Sequence, residues 1–236
     1  MSADLPPRVE IPSLAAIGVT AFVTTREAGS FGLPEVGVAP DAQAAWERLT
    51  SGMRSLGVPR VASARQVHGR SVLTHAADWT GWRRVDGVDG HVISAPGAAV
   101  VTVADCVPVL IGHPSGTVAA VHAGWRGVAA GILDEAVRAL AAAGCPASEL
   151  TVHFGPAICG RCYEVGPEVF MQLTGWETSR PRHVDLRALL AEQAKAAGVV
   201  RWSASAECTR CDNAHFFSHR AGDAGRQIAV IAARSA

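Results

Sequence analysis

Residues 91–122, HVISAPGAAVVTVADCVPVLIGHPSGTVAAVH, contain four short apolar segments in direct succession. The segments are His91–Ser94, Ala98–Ala104, Val107–Gly112 and Thr117–His122, and turn residues such as Gly, Pro and Asp separate them. None of the connections is long enough for a helix, so we predict four consecutive β-strands. A doubly wound fold would alternate strands with helices, and this run therefore predicts an α+β fold with mixed sheets.

Further strands and four amphipathic helices are predicted on either side of this run. The additional strands are Ile17–Thr24, Arg60–Val67, Leu150–Phe154, Val199–Ala204 and Arg226–Ile231. The first helix is capped by Asp41 and ends at Gly57, and the second has an apolar stripe from Val128 to Leu140 and stops at Gly144. The third begins at Pro167, and the fourth is capped by Asp185 and ends at Gly198. Since no repeat or long linker interrupts the pattern, we predict a single domain over residues 1–236.

The composition argues against several classes of protein. Apolar residues make up 49% of the 236 residues, which is enough for a large core. The 21 Lys and Arg residues balance the 21 Asp and Glu residues, which argues against a nucleic-acid or anionic-membrane surface. No apolar run approaches the roughly 18 residues of a spanning helix, and the first residues lack a signal-peptide pattern. We therefore expect a soluble, cytoplasmic protein. Small-molecule partners and a monomer or small homo-oligomer are separate expectations, which the composition does not establish.

Three residues that can bind a metal lie where predicted strands end. His68 follows a strand and precedes Gly69, Cys106 follows the run Ala98–Ala104, and His122 ends another strand. Side chains at neighbouring strand ends can converge, and two imidazoles with one thiolate are a suitable ligand set for zinc. Such a set leaves a fourth position for water, whose pKa zinc lowers from about 15.7 to about 7. The alternative is that each of the three is an ordinary, partly buried side chain.

The residues after His122 have features of an anion-binding loop. Gly124 and Gly127 permit close approach of the backbone, and they lead into a predicted helix whose N-terminus would favour phosphate. Arg126 can add a forked cation. The alternative is a glycine-rich turn in which Trp125 packs and Arg126 is solvated.

A polar and aromatic segment near the C-terminus is a candidate for substrate binding. A purine is recognised by an aromatic face with amide or hydroxyl partners at its edge. Asn213, Phe217, Ser218 and Arg220 offer these groups. We add Gln66, which lies two residues before the first metal-ligand candidate.

Four of the six cysteines form two C-x-x-C pairs, Cys159/Cys162 and Cys208/Cys211. The 45 residues between the pairs exceed the gap of a zinc ribbon, which is about 15–20 residues. We expect reduced thiols that are dispensable for catalysis. A second, structural metal is the alternative.

Several blocks of the sequence resemble the laccase-domain (YfiH-like) family. In collinear order they read QVHG, ADCVPVLI, VHAGWRGVAAGIL, GPAICGRCYEVGPEV, VDLRALLAEQAKAAGV and FFSHRAGDAGRQIAVI. Members of this family are described as multicopper polyphenol oxidoreductase homologues and as zinc-dependent purine nucleoside phosphorylases. The resemblance implies a layered α/β/β/α sandwich with mixed sheets.

The same resemblance implies that His68, Cys106 and His122 form the metal triad and that Arg26 lies near the site. It implies phosphorolysis of adenosine, inosine and methylthioadenosine, together with deamination of adenosine. For these reactions we expect Asp105 to move a proton, and Arg126 with Arg26 to hold phosphate. A regular strand through this region would, however, turn the Asp105 side chain away from that of its neighbour Cys106.

Two other activities remain as alternatives. A copper-dependent polyphenol oxidase would need several coppers, whereas the chain has nine histidines and no H-x-H pair, although copper would compete for the site in vitro. A metal-free hydrolase could use Cys106 as nucleophile and a histidine as base, and a peptidoglycan-editing factor would be a hydrolase of this kind.

The segment Glu27–Ala45 is compressed relative to the family, so no substrate contact from that loop can be transferred to this chain.

Overall fold

A computed structural model describes residues 5–33 and 40–234 of the chain, and within them two six-stranded sheets lie face to face. The strands are β1 (Arg8–Glu10), β2 (Thr20–Thr24), β3 (Arg60–Arg65), β4 (Val72–Thr74), β5 (Gly81–Asp86), β6 (Gly90–Ile93), β7 (Gly97–Val103), β8 (Val107–Gly112), β9 (Val118–Ala123), β10 (Thr151–Phe154), β11 (Glu164–Val165), β12 (Arg182–His183), β13 (Arg201–Ala204) and β14 (Gln227–Ala233). The helices are α1 (Pro12–Ala15), α2 (Pro40–Ser55), α3 (Trp125–Ala129), α4 (Ile132–Ala142), α5 (Pro167–Thr174) and α6 (Leu186–Ala196).

Both large sheets are mixed. The first has the strand order β1-β2-β14-β7-β3-β5, antiparallel from β1 to β7 and parallel from β7 to β5. The second has the order β13-β10-β8-β9-β6-β4 and is parallel only at its two edges. The predicted mixed sheets are therefore confirmed, and strands β6 to β9 follow one another without a helix.

Three apolar layers hold the sandwich together. Side chains alternate along a strand, so Val100 of β7 faces α2 and Trp46, while Val101 faces the second sheet. The outer face of the second sheet packs against α4 and α6, whose Leu133 and Leu190 are fully buried. The layer order is α/β/β/α, which confirms the predicted α+β sandwich.

The predicted strands are present, with small differences at their ends. The short strands β1, β4, β5, β11 and β12 and helix α1 were not predicted. Strand β5, for example, reads GWRRVD and has no buried residue, so it lacks the alternation that marks a half-buried strand. Helices α5 and α6 begin as predicted at Pro167 and after Asp185, whose carboxylate accepts hydrogen bonds from two backbone amides of the first turn.

Two helix predictions were wrong in detail. Helix α2 begins at Pro40, so Asp41 lies inside its first turn, where an acidic group favours the helix dipole, rather than at the cap. The apolar stripe from Val128 to Leu140 belongs to two helices, because Gly131 adopts a left-handed conformation with φ +78° between α3 and α4. Both helices cover the second sheet, which is why the stripe is continuous in sequence.

Part of the compressed segment Glu27–Ala45, residues 34–39, lies outside the described residues. Among the residues that the structure describes, no helix is long and apolar enough to cross a membrane.

Candidate metal centre

The ends of neighbouring strands bring His68, Cys106 and His122 together. Their ligand atoms all lie within 4.8 Å of one another. Because β8 and β9 are antiparallel partners with Pro108 opposite His122, Cys106, which immediately precedes β8, lies beside the end of β9. His68 follows β3, and its ring is 4.7 Å from that of His122 between centroids. His122 is buried, Cys106 is partly buried and His68 is exposed, so the cluster opens to solvent on the His68 side.

This arrangement fits a zinc ion with an open coordination position. Tetrahedral ligands at zinc–nitrogen distances of about 2.0–2.1 Å and a zinc–sulfur distance of about 2.3 Å are about 3.5 Å apart, which small side-chain adjustments can reach. Gly124 lies directly beside the cluster. A methyl group there would be 3.1 Å from both Cys106 Sγ and His68 Cδ2, so the glycine leaves space next to the ligand atoms.

Asp89, which no sequence motif marks, supports two of the three candidate ligands. This fully buried carboxylate accepts backbone N–H bonds from Val67 (3.2 Å), His68 (2.9 Å) and Gly69 (2.7 Å). It also accepts a hydrogen bond from His122 Nδ1 at 2.8 Å. Burial by itself would raise the pKa of Asp89, but these hydrogen bonds lower it below its usual value.

These contacts with Asp89 have two structural effects. The three backbone bonds hold His68 in a left-handed conformation with φ +59°, which is uncommon for a residue other than glycine. The bond to His122 Nδ1 leaves Nε2 as the atom that faces the cluster. In the sequence, Asp89 lies next to Gly90 before a buried strand, a pattern that indicates only a turn.

Cys106 and His122 stabilise each other's charged forms. Burial by itself raises the pKa of the Cys106 thiol, but the charge of His122 and hydrogen bonds from both histidines lower it to about 6. Burial lowers the pKa of His122, yet the Cys106 thiolate and Asp89 raise it to about 9. At neutral pH the pair is therefore a thiolate and an imidazolium, and the thiolate is the form of cysteine that binds metals and attacks electrophiles.

Asp105 is directed toward the C-terminal loop. Its carboxylate accepts hydrogen bonds from the Thr209 hydroxyl at 2.6 Å and from the Arg220 backbone N–H at 2.7 Å. Its backbone has φ +84°, and its carbonyl accepts an N–H bond from Ile158 at 3.0 Å. Because both carboxylate oxygens are engaged, this geometry favours a positioning role over the predicted movement of a proton beside Cys106.

The helix predicted to follow Gly127 begins earlier. Helix α3 starts at Trp125 with Gly124 at its N-cap, so Gly127 lies inside it. A side chain at Gly127 would lie 2.8 Å from the carbonyl oxygen of Gly69, which explains the need for glycine there. Arg126 is exposed, and its guanidinium is 4.4 Å from the Trp125 ring centroid.

Arg26, Asn213 and Ser218 meet at one carboxylate in the C-terminal loop. Asp223 accepts hydrogen bonds from the Ser218 backbone N–H (2.8 Å), Arg26 (2.7 Å) and the Asn213 amide (2.6 Å). These three bonds lower the pKa of Asp223 to about 2. The side chain of Arg26 is therefore engaged in holding this loop against the end of β2.

Gln66 and Phe217 are also engaged in local contacts. The Gln66 amide exchanges two hydrogen bonds with the backbone of Thr102, at 2.7 and 2.8 Å, and so extends the pairing of β3 with β7. Phe217 is 9% exposed, and its backbone exchanges two hydrogen bonds with the Gln227 amide. Neither residue presents a free polar side chain toward the triad.

Tyr163, the single tyrosine of the chain, lies near Cys106 and was not predicted. Its pKa is raised to about 12, mainly by burial and to a smaller extent by the charge of Cys106. The guanidinium groups of Arg220 and Arg126 act in the opposite direction. The Arg220 guanidinium is 5.1 Å from the Tyr163 ring centroid and donates to the Glu164 carbonyl. The structure thus places Arg220 against a phenol whose pKa also responds to the charge of Cys106.

Comparisons with known proteins identify the family of this chain. A family model described as multi-copper polyphenol oxidoreductase laccase matches residues 23–234. A purine nucleoside phosphorylase of Streptomyces coelicolor is 40% identical over 210 residues, which cover 83% of this chain and 84% of that protein. An adenosine deaminase from an unknown prokaryotic organism is 36% identical over 154 residues, or 58% of each protein.

Solved structures are similar over nearly the whole chain. YlmD from Geobacillus stearothermophilus superposes with a TM-score of 0.80 at 29% identity, covering 95% of this chain and 94% of that one. A Neisseria meningitidis protein superposes with a TM-score of 0.77 at 30% identity, covering 92% and 95%. The chain therefore belongs to the multi-copper polyphenol oxidoreductase laccase family, which is the laccase-domain family that its sequence blocks resemble.

Proposed function

We propose that this protein is a zinc-dependent purine nucleoside phosphorylase that also deaminates adenosine. The observation that carries the proposal is the convergence of His68, Cys106 and His122 on one solvent-accessible point. The relatives named purine nucleoside phosphorylase and adenosine deaminase support this choice of reaction. The proposed substrates are adenosine, inosine and methylthioadenosine, with phosphate or water as the second reactant.

His68, Cys106 and His122 would hold the zinc ion, which when bound supplies Lewis acidity and activates water. Asp89 keeps the His122 ring oriented through its bond to Nδ1 and holds the backbone on both sides of His68. Cys106, with a pKa of about 6, binds readily as the thiolate, whereas the protonated His122 ring must release its Nε2 proton to act as a ligand. Gly124 leaves room for substrate beside the ligand atoms.

Phosphorolysis requires a phosphate beside the ribose C1′, and guanidinium groups bind phosphate through forked hydrogen bonds. Arg126 is exposed and forms no ion pair with any residue in the described ranges. Arg220 lies over Tyr163, within the electrostatic neighbourhood of Cys106. We assign phosphate binding to Arg126 with help from Arg220, whereas Arg26 is already paired with Asp223.

The other predicted binding residues have supporting roles in this proposal. Asn213, Ser218 and Phe217 stabilise the C-terminal loop that carries Arg220, and Gln66 anchors the segment that precedes His68. Asp105 joins the turn before Cys106 to the same loop. Purine specificity would then depend on the loop as a whole more than on any one of these side chains.

The test is to measure zinc content together with release of base from adenosine and inosine, with and without phosphate. We expect base release only when phosphate is present, and ammonia release from adenosine in its absence. Removal of zinc with a chelator should abolish both reactions, and added zinc should restore them. Zinc-loaded protein that released neither base nor ammonia would contradict the proposal.

The same experiment separates the two alternatives. Two imidazoles and one thiolate also occur as ligands of copper in electron-transfer sites, and the family description names copper oxidases. A copper-loaded protein that consumed oxygen with a phenol, while the zinc form stayed inactive on nucleosides, would favour the polyphenol oxidase. Hydrolytic activity that persisted in metal-free protein and was lost in Cys106→Ala would favour a cysteine nucleophile.

A further inference from the structure

The two C-x-x-C pairs, which are 45 residues apart in sequence, lie against each other in the structure. The first pair follows β10 and the second follows β13, and these two strands are parallel neighbours. Parallel strands end at the same edge of a sheet, so their following loops start side by side. An isolated bridge between Ala157 and Cys208 continues the pairing into the loops. The expectation of separate thiols relied on sequence spacing, which does not measure distance across neighbouring strands.

The four thiols form one compact cluster. The sulfur atoms of Cys159, Cys162, Cys208 and Cys211 all lie within 4.8 Å of one another, and those of Cys162 and Cys211 are 3.5 Å apart. Four thiolates at about 2.3 Å from a zinc ion would have their sulfurs about 3.8 Å apart, whereas a disulfide needs about 2.05 Å. The sulfur–sulfur spacing is that of thiols that can share one metal ion, and it is too long for a disulfide.

Backbone amides are directed at a sulfur of this cluster. Cys208 Sγ accepts N–H bonds from Cys159 at 3.2 Å and from Cys211 at 3.5 Å. Such bonds stabilise a thiolate and orient it as a ligand. Each pair also closes a tight turn, in which Cys162 donates to the Cys159 carbonyl and Asp212 donates to the Cys208 carbonyl. The two turns thus present four sulfurs to one point with their backbones already ordered.

We propose that Cys159, Cys162, Cys208 and Cys211 bind one structural Zn²⁺, separate from the site at His68, Cys106 and His122. Soft thiolates in a tetrahedral S₄ arrangement select zinc, and four protein ligands leave no open position for substrate. Thiols that carry a proton release it to solvent when the ion binds. This inference does not depend on the proposed nucleoside chemistry.

The ion would hold two loops against the turn that carries Cys106. Ile158, which precedes the first pair, donates its N–H to the Asp105 carbonyl at 3.0 Å. Thr209, which lies within the second pair, donates its hydroxyl to the Asp105 carboxylate at 2.6 Å. Both loops therefore contact the residue that immediately precedes Cys106. Tyr163 directly follows the first pair, so the same ion would also anchor the phenol near the candidate metal centre.

The test is zinc analysis in a His122→Ala background, which removes a ligand of the other site. We expect one zinc per chain in folded His122→Ala protein purified without added metal. Adding Cys162→Ser and Cys211→Ser, one substitution in each pair, should remove that zinc. Cys145→Ser in the same background is the matched control and should retain it, because Cys145 belongs to neither cluster.

Cobalt substitution keeps the proposal testable if the double cysteine variant does not fold. His122→Ala protein loaded with Co²⁺ should show strong sulfur-to-cobalt charge-transfer absorption together with the visible bands of a tetrahedral ion. The proposal would be overturned by folded His122→Ala protein that binds neither zinc nor cobalt, that contains iron instead, or whose mass in non-reducing conditions shows disulfides among these cysteines.

Discussion

Asp89 connects two of the three proposed metal ligands, because one carboxylate oxygen serves both the His122 ring and the His68 backbone. The residue types and positions of the three ligands are visible in the sequence, since each follows or ends a strand. Asp89 is not visible in this way. It is a neighbour of His68 only after β3 and β5 have paired in parallel with Arg65 opposite Asp86, which places the segments that follow these two strands side by side. A single acidic residue beside a glycine carries no sequence signal for that contact.

Asp89→Asn should weaken zinc binding roughly 10- to 100-fold, the usual cost of losing an outer partner of a histidine ligand. An amide has only one accepting oxygen, so either the pair of donors on His122 and His68 or the pair on Val67 and Gly69 loses its acceptor. Competition with a chromophoric chelator measures the change. Asp86→Asn, at an exposed position nearby, is the control and should bind zinc like the parent. Unchanged affinity in folded Asp89→Asn would show that His122 is oriented by other groups.

Gly124→Ala should lower zinc occupancy strongly, because the new methyl group would be 3.1 Å from both Cys106 Sγ and His68 Cδ2. Gly166 provides a matched control. It also lies at a helix N-cap in an extended conformation, and a methyl group there would meet no atom within 4 Å. We expect Gly166→Ala to keep its zinc and its activity. Full occupancy and turnover in Gly124→Ala would mean that the cluster is displaced from Gly124.

Arg126→Ala should raise the phosphate KM or lower kcat/KM for phosphorolysis. The change should correspond to a loss of roughly 2–3 kcal/mol of binding free energy, because a charge-assisted fork is lost. Deamination uses water and should change much less. Arg138→Ala, at an exposed position on α4, controls for loss of a surface cation. Steady-state rates of both reactions at several phosphate concentrations provide the comparison. Equal damage to both reactions in folded, zinc-loaded protein would exclude a phosphate role for Arg126.

The turn between β7 and β8 joins several elements, because Asp105 bonds the loop after β10 and the loop after β13. Strand alternation does not apply to Asp105, because β7 ends at Val103 and Asp105 lies in a turn with φ +84°. The partners could not be predicted, since they come from loops that follow β10 and β13 and precede β14. Likewise, the apolar stripe from Val128 to Leu140 predicts which residues face the sheet, while only the left-handed Gly131 reveals two helices.

Asp105→Asn should lower kcat for both reactions while leaving the shape of the pH profile of deamination unchanged. The reason is that the side chain holds the Cys106 turn in place and does not exchange a proton with substrate. The Thr209→Val variant, which removes one of its partners, should act in the same direction with a smaller effect. If Asp105→Asn instead removed one limb of the pH profile, Asp105 would be the proton-transfer group.

The contact between the two sheets encloses histidines that must stay neutral. His91 pairs across β6 and β9 with Ala120, a residue of the layer between the sheets, and it is fully buried. Its Nδ1 is 2.9 Å from His75 Nε2. Burial, followed by the charge of His75, lowers the pKa of His91 to about 3. Burial likewise lowers the pKa of His153 to about 4.

The free energy of unfolding should therefore decrease as pH falls below about 6.5. In that range the unfolded chain binds protons that folded His91 and His153 do not, so each contributes a loss of about 1.4 kcal/mol per pH unit. The loss for His91 continues down to its folded pKa of about 3. Urea unfolding between pH 6 and 4.5 measures how the free energy of unfolding changes with pH. In His91→Leu this change should correspond to about one proton fewer taken up on unfolding than in the parent. His183→Leu, at an exposed position, is the control. An unchanged slope would contradict a neutral, buried His91.

Local pattern is sufficient for nine of the fourteen strands that the structure describes, the apolar faces of the helices, the α+β class and the types of the three candidate ligands. These depend on side-chain alternation, helical periodicity and residue type, which neighbouring residues determine together. The contacts of Asp89, the approach of Tyr163 and the joining of Cys159 and Cys162 to Cys208 and Cys211 exist only in the folded molecule. They arise from strand order within a sheet and from packing between sheets, which place residues tens of positions apart within hydrogen-bonding distance. Sequence spacing carries no measure of that distance.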